Sequence, residues 1–371
     1  MHPLLNPLHL IRLIFLGIFF FSGAIAIVFN QFMFIIWHAL NKSSPFQSQL
    51  EYTKKSFVVL LTFCTSNFTS HSTISLTFRD EELMKNCLSK NNDGELPLLK
   101  FDNSAIIISN HQIYSDWFFL WFLAYLNNTA SHFFIVMKKS LENIPILGYG
   151  MKNYNFIFLS RNWQNDRLYM ESQFRKILKV NEKFWMLIFP EGTNMSHNNR
   201  NKSHKFALES NLPVNNCVLL PRIKGLYVAS KNLLNENSSK ILDFTIGYTG
   251  NTKDIMAQDV HTLWKIYIEG ISPKKISILV DEHELNAVVP DIFNNELNED
   301  EQMKSLEKWI VKTWSTKEKD MANYYETGKF DVPETHTIEF PLRLHSNWEV
   351  VSVYGPTLAV LAVVIGVVKL M

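Results

Sequence analysis

Cysteine is scarce in this sequence. Only Cys64, Cys87 and Cys217 occur, and no pair has a Cys-x-x-Cys spacing. A scattered, odd-numbered set builds no disulfide framework, so a reducing compartment is expected. A charge imbalance is also missing. With 36 basic and 35 acidic residues the net charge is +1. That balance argues against a nucleic-acid binder working by massed phosphate neutralisation, and none is expected as a partner. There is no Gly-x-Ser-x-Gly elbow, so the nucleophilic serine turn of many lipid hydrolases is absent. No His/Cys/Asp cluster has metal-ligand spacing, so neither a metal nor a resident cofactor is expected. His132, His197, His204 and His283 read as ordinary polar residues, and His345 near the C-terminal apolar run as interfacial. No internal repeat is visible.

Apolar material is plentiful: 47% of residues are hydrophobic and 28 are Phe. Leu13 to Leu40 carries no Lys, Arg, Asp or Glu. This run is long enough to cross a bilayer and too long for the core of a signal peptide. It reads as an uncleaved anchor. Asn30 and Gln31 interrupt it, and Phe32 to Trp37 beyond them reads as an interfacial end or a turn into a hairpin. A weaker stretch, Phe57 to Phe68, either lies in the interface or completes that hairpin. Val351 to Val368 is a third charge-free run, read as a C-terminal transmembrane helix, with a buried core helix as the alternative. Arg12 precedes the first anchor, and Lys42, Lys54 and Lys55 follow it. The bias favours a cytosolic downstream side. The expected organisation is a membrane anchor at 1–70, an α/β domain with a helical extension at 71–330, a linker at 331–349 and a transmembrane helix at 350–371.

Between the anchors, short apolar runs alternate with segments of helical spacing. The runs are Ala105–Ser109, Phe133–Met137, Phe156–Leu159, Phe184–Phe189 and Val218–Leu220. Lys240–Tyr248 and Lys275–Val280 look like further strands. Fully apolar strands separated by helices predict an α/β fold, a mostly parallel sheet covered on both faces. In Glu301 to Tyr325, Met303, Leu306, Trp309, Ile310 and Trp314 recur at three- and four-residue spacing, which predicts an amphipathic helix.

Asn110-His111 follows the first of these strands, and Asp116 lies five residues after His111. On one continuous helix that interval would set the two about 140° apart. They meet only if His111 sits in the turn and Asp116 in the first helical turn. A carboxylate on one imidazole nitrogen fixes the tautomer and frees the other to accept a proton from a substrate hydroxyl. About 0.4 such pairs are expected by chance in a chain with 12 His. A capping Asp beside a surface His is therefore the plain alternative. Phe189-Pro190-Glu191-Gly192-Thr193 is a more specific string. It follows a strand, and its Pro and Gly favour a sharp turn open to a ligand. Trp117 to Leu123, just after the histidine, read equally as an acyl groove, a membrane face or core packing.

Together these motifs resemble the glycerolipid acyltransferase family. Asn110, His111 and Asp116 match its first motif, Phe156–Arg161 its second, Phe189–Thr193 its third and Leu219-Leu220-Pro221 its fourth. Lys138–Leu141, Pro145, Gly148 and Gly150-Met151, with Trp309, Trp314, Lys317–Lys319 and Tyr325–Gly328, resemble the eukaryotic branch. That branch holds the lysocardiolipin and lysophosphatidylinositol acyltransferases. The chain departs from it at Asn211, where Gly is common, and at Lys224, where Thr is common. The resemblance implies transfer of an acyl group from acyl-CoA, a co-substrate, to a lysophospholipid within a lipid bilayer. His111 would be the base and Asp116 its orienting partner. Arg161, Glu191, Gly192, Thr193 and Pro221 would bind substrate, with Lys138 and Lys139 as candidate phosphate contacts. The resemblance also implies residence in the endoplasmic reticulum, with the mitochondrial outer membrane or lipid droplets as alternatives. A scaffold that keeps the fold without catalysis, and a lipid hydrolase, are the competing readings.

Overall fold

The apolar runs become strands because a sheet covered on both faces has no polar side to display. The computed structural model of the chain describes residues 7–89, 95–181 and 183–370. Residues 1–6 and 371 of the expected anchors lie outside that set. The strands are β1 Thr73–Phe78, β2 Ser104–Ser109, β3 Phe133–Lys138, β4 Ile157–Leu159, β5 Phe184–Ile188, β6 Lys240–Tyr248, β7 Lys275–Glu284 and β8 Thr337–Pro341. They form one sheet in the order β4-β3-β5-β2-β6-β7-β1-β8. Most neighbours are parallel. The pairs β6–β7 and β1–β8 are antiparallel, so the sheet is mixed.

The longer helices are α1 Pro7–Leu40, α2 Phe46–Phe68, α3 Asp116–Leu126, α4 Trp163–Val180, α5 His197–Glu209, α6 Ile223–Leu233, α7 Glu299–Thr327 and α8 Val350–Leu370. Alternate residues of β2 serve different cores. Ala105 and Ile107 pack with Phe118, Trp121 and Phe133. Ile106 and Ile108 pack with Phe174, Ile310 and Trp314 on the other face. Helices α2 and α3 cover the first face; α4, α6 and α7 cover the second. Ten of the eleven residues of α3 are buried. Of the three readings of Trp117–Leu123, core packing is therefore the one the fold realises for all but the half-buried Trp117. Helix α7 starts at a capping box formed by Asn298 and Glu301 and ends at Gly328 with φ 74°.

Several expectations change. Residues 331–349 do not merely link: they carry β8, whose Phe340 pairs with Ile74 at the sheet edge. Val218–Leu220 is buried but forms no strand. The N–H groups of Asn216, Cys217 and Val218 go to the Glu318 carboxylate of α7 instead of a ladder. Asn30 and Gln31 do not interrupt α1, which continues to Leu40. Thr357 donates to Asn30 (2.8 Å) and Asn153 donates to Gln31 (2.9 Å), so both polar groups are satisfied by other helices. Phe57–Phe68 belongs to α2, which packs against α1 as the second arm of a helical hairpin. The charge bias also weakens. Arg12 donates to the carbonyls of Phe68 (2.7 Å) and Ile268. Lys54 is buried against the Phe134 ring. Neither is a free juxtamembrane charge. Two helical segments, Pro7–Leu40 and Asn347–Gly366, are long and apolar enough to cross a membrane.

Ile310 is fully buried between α7 and the sheet. Ile310→Ala is expected to cost about 2–5 kcal/mol. The check is a thermal-inactivation midpoint of the detergent-solubilised protein. An unchanged midpoint would contradict this packing.

Candidate active site

Strands β2, β3, β4 and β5 run parallel, so their carboxyl ends share one edge. In open α/β sheets this edge is where ligands bind. Asn110 fastens the end of β2 to β6: its side chain accepts from Ile246 N–H (2.7 Å) and donates to Ile246 O (3.0 Å). The chain then turns, and α3 begins at Asp116. His111 Nδ1 lies 2.9 Å from Asp116 Oδ2, the strand–turn–helix arrangement that the five-residue interval requires.

Asp116 is fully buried and collects four donors. Oδ2 accepts from His111 Nδ1–H, Gln112 N–H (2.6 Å) and Ile113 N–H (3.0 Å). The Tyr248 hydroxyl donates to Oδ1. Burial, then the neighbouring Asp116, holds the Tyr248 hydroxyl well above the usual phenol range, so it stays a donor. The His111 ring stacks on Phe189, with centroids 4.1 Å apart. Its side chain keeps 17% exposure where Asp116 has 0%. With Nδ1–H committed to the carboxylate, Nε2 is the basic nitrogen. It has no protein partner among the described residues.

Glu191 departs from the role the resemblance implies. It is 2% exposed, and its oxygens are occupied by the protein: His111 N–H reaches Oε2 and Trp314 Nε1–H reaches Oε1, each at 3.3 Å. Burial pushes this carboxyl well above the usual range, against the donors from Trp314, His111 and Leu219. It braces the turn that carries His111, and its side chain points inward. Gly192 is exposed at φ 70°. Arg161 has φ 68°, a left-handed conformation costing a residue with Cβ about 1–2 kcal/mol. Its Nη2 points to Gly192 O at 3.5 Å. Thr193 accepts from Asn199 of α5 (3.1 Å), and Pro221 is buried. Arg222 N–H donates to Pro190 O (2.8 Å), which ties the fourth motif to the third. Lys139 pairs with Glu142, while Lys138 at the end of β3 is exposed and unpaired among the described residues.

An acyltransferase family model matches residues 76–221. A 2-acyl-1-lysophosphatidylinositol acyltransferase of Saccharomyces cerevisiae is 32% identical over 351 residues, covering 85% of each chain. An uncharacterized acyltransferase of the same yeast is 32% identical over 333 residues, 84% of this chain and 80% of that protein. The chain belongs to the acyltransferase family. The lysocardiolipin acyltransferase 1 of Danio rerio is 28% identical over 244 residues, 65% of this chain and 57% of that protein.

Four side chains that support this candidate site were not read from the sequence as doing so. Tyr248 ends β6, 132 positions from Asp116. Trp314 was read as a core residue of α7 and as part of the branch resemblance, not as a support of Glu191. Tyr325 donates to Gln112 Oε1 (3.0 Å), and Gln112 donates to Cys217 O (3.2 Å). One sequence carries no signal for such long-range partners; a polar-tipped aromatic at the end of an apolar strand was the only hint.

Tyr248→Phe removes one donor from Asp116 and leaves the packing in place. The transfer rate is expected to fall about tenfold, the loss of roughly 1.4 kcal/mol of transition-state stabilisation. Steady-state rates on purified protein check this. A wild-type rate would show that Asp116 does not need the contact.

Proposed function

We propose that this protein is an integral-membrane enzyme that moves a fatty acyl group from acyl-CoA to a glycerol hydroxyl of an anionic lysophospholipid. The observation that carries the reading is the 2.9 Å His111–Asp116 contact at the carboxyl edge of the sheet, with Nε2 left without a protein partner among the described residues. It stands in a chain 32% identical to a lysophosphatidylinositol acyltransferase.

His111 Nε2 takes the proton of the acceptor hydroxyl as its oxygen attacks the thioester carbonyl carbon. Asp116 stabilises the imidazolium that forms. The Thr193 N–H steadies the oxyanion, since the Gly192 N–H is already donated to Phe189 O (2.9 Å). The C–S bond then breaks, and the departing CoA sulfur takes the proton from His111. Every proton is accounted for without an acyl-enzyme. Arg161 holds the acceptor phosphate. Helices α1 and α8 seat the protein in the bilayer where its acceptor resides: Phe15, Ile18 and Phe21 of α1, and Leu361, Val364 and Ile365 of α8, are exposed apolar side chains. The endoplasmic reticulum, with the site cytosolic or interfacial, is the proposed location.

The test incubates membranes holding the protein with labelled acyl-CoA and a panel of lysophospholipids. Labelled diacyl product is expected with an anionic acceptor, and His111→Ala is expected to lower it about 10²- to 10⁴-fold. Free fatty acid as the only product would indicate a hydrolase. No turnover with any acceptor would indicate a scaffold.

A further inference from the structure

Gly192 is flanked by a second guanidinium. A Cβ placed on Gly192 would lie 3.7 Å from Arg222 Cδ and 4.0 Å from its Nε. Arg161 Nη2 points to Gly192 O at 3.5 Å. Both arginines are exposed, and neither has a carboxylate partner among the described residues. Other arginines of the chain do: Arg79 holds Asp281 and Asp320, and Arg167 holds Glu171 and Glu299. Two unpaired guanidiniums at one glycine repel each other unless an anion lies between them. Each is held there by its backbone. Arg161 sits in a left-handed conformation, and Arg222 N–H is fixed to Pro190 O. Gly192 adds no side chain beside either.

We infer that Arg222 and Arg161 form a two-arginine clamp for the phosphate of the acceptor. This rests on the acyl-transfer reading proposed above. Phosphate is the anion whose several oxygens suit two planar forks at once. Two phosphate sources exist in the reaction, the lysolipid and CoA. Proximity chooses the lysolipid. Gly192 adjoins Glu191, whose carboxyl holds His111 N–H. In the acceptor only the glycerol backbone separates the phosphate from the reacting hydroxyl. In acyl-CoA the whole pantetheine arm separates the phosphates from the thioester. Arg222 is thus a specificity-determining residue for an anionic acceptor.

The test compares wild type, Arg222→Gln and Arg222→Lys in the full-length protein. Arg222→Gln is expected to raise the KM for lysophosphatidic acid about tenfold, with Arg222→Lys between it and wild type. The KM for acyl-CoA and the kcat at saturating acceptor should stay near wild type. A rise in the acyl-CoA KM alone would overturn the assignment in favour of a CoA-phosphate site. Unchanged KM values would overturn it altogether. A second readout needs no turnover: retention of labelled lysophosphatidic acid by detergent-solubilised His111→Ala, with and without Arg222→Gln. Weaker retention in the double variant supports the clamp even if acyl transfer fails in every assay. Equal retention contradicts it.

Discussion

One buried carboxylate organises the site. Asp116 has no solvent access, yet it sits at the start of a helix beneath two backbone N–H groups, an imidazole and a phenol. A carboxylate stripped of water needs such donors. Their geometry fixes where His111 stands and which of its nitrogens is basic. The same contacts join three elements: the end of β2, the start of α3 and the end of β6. The geometry of the candidate site and the packing of the sheet edge are therefore one problem with one solution.

Helix α7 completes that solution from the opposite side. Leu306, Ile310 and Trp314 bury its apolar stripe against the sheet. Its polar tips then reach the site's supports. Trp314 holds the Glu191 carboxyl, Tyr325 holds Gln112, and Glu318 receives three N–H groups from residues 216–218. Buried Lys317 donates to Phe244 O (2.8 Å) and pairs with Asp243 on β6. A helix whose sequence reads as core packing is also a brace on every motif loop except the Arg161 turn. That turn instead hangs on Asp166, which accepts from Ser160 N–H and Oγ–H (2.9 and 2.8 Å).

Much of this was legible in the sequence where physics is local. Ala105–Ser109 and Phe184–Phe189 announce buried parallel strands by having no polar face. The period of Met303 to Trp314 announces α7. The five-residue interval alone leaves His111 and Asp116 close to a chance match; their place after a buried strand, with the Arg161 and Glu191 motifs following in order, makes the pairing legible. Asn211, a departure from the family resemblance, is legible in hindsight: it adopts φ 53°, a left-handed conformation that Asn tolerates. The rest depended on partners far along the chain. Asn30 looked like a break in α1 because its partner, Thr357, lies 327 residues away. Val218–Leu220 looked like a strand because its composition conceals that Glu318 takes the neighbouring N–H groups. The edge strand Thr337–Pro341 is short and only partly buried, so its alternation was too faint to separate from a linker. Glu191 looked like a ligand because its motif is exposed at Gly192, yet its own side chain turns inward.

The account stands on the Asp116 carboxylate holding His111 as the base. Asp116→Asn keeps the shape of the side chain and removes its charge, which leaves the imidazole without its tautomeric anchor. The most direct measurement is the steady-state kinetics of this variant against both substrates. A kcat about 10³-fold or more below wild type, with KM values for acyl-CoA and lysolipid close to wild type, is the predicted result. A kcat within a few-fold of wild type would contradict the account.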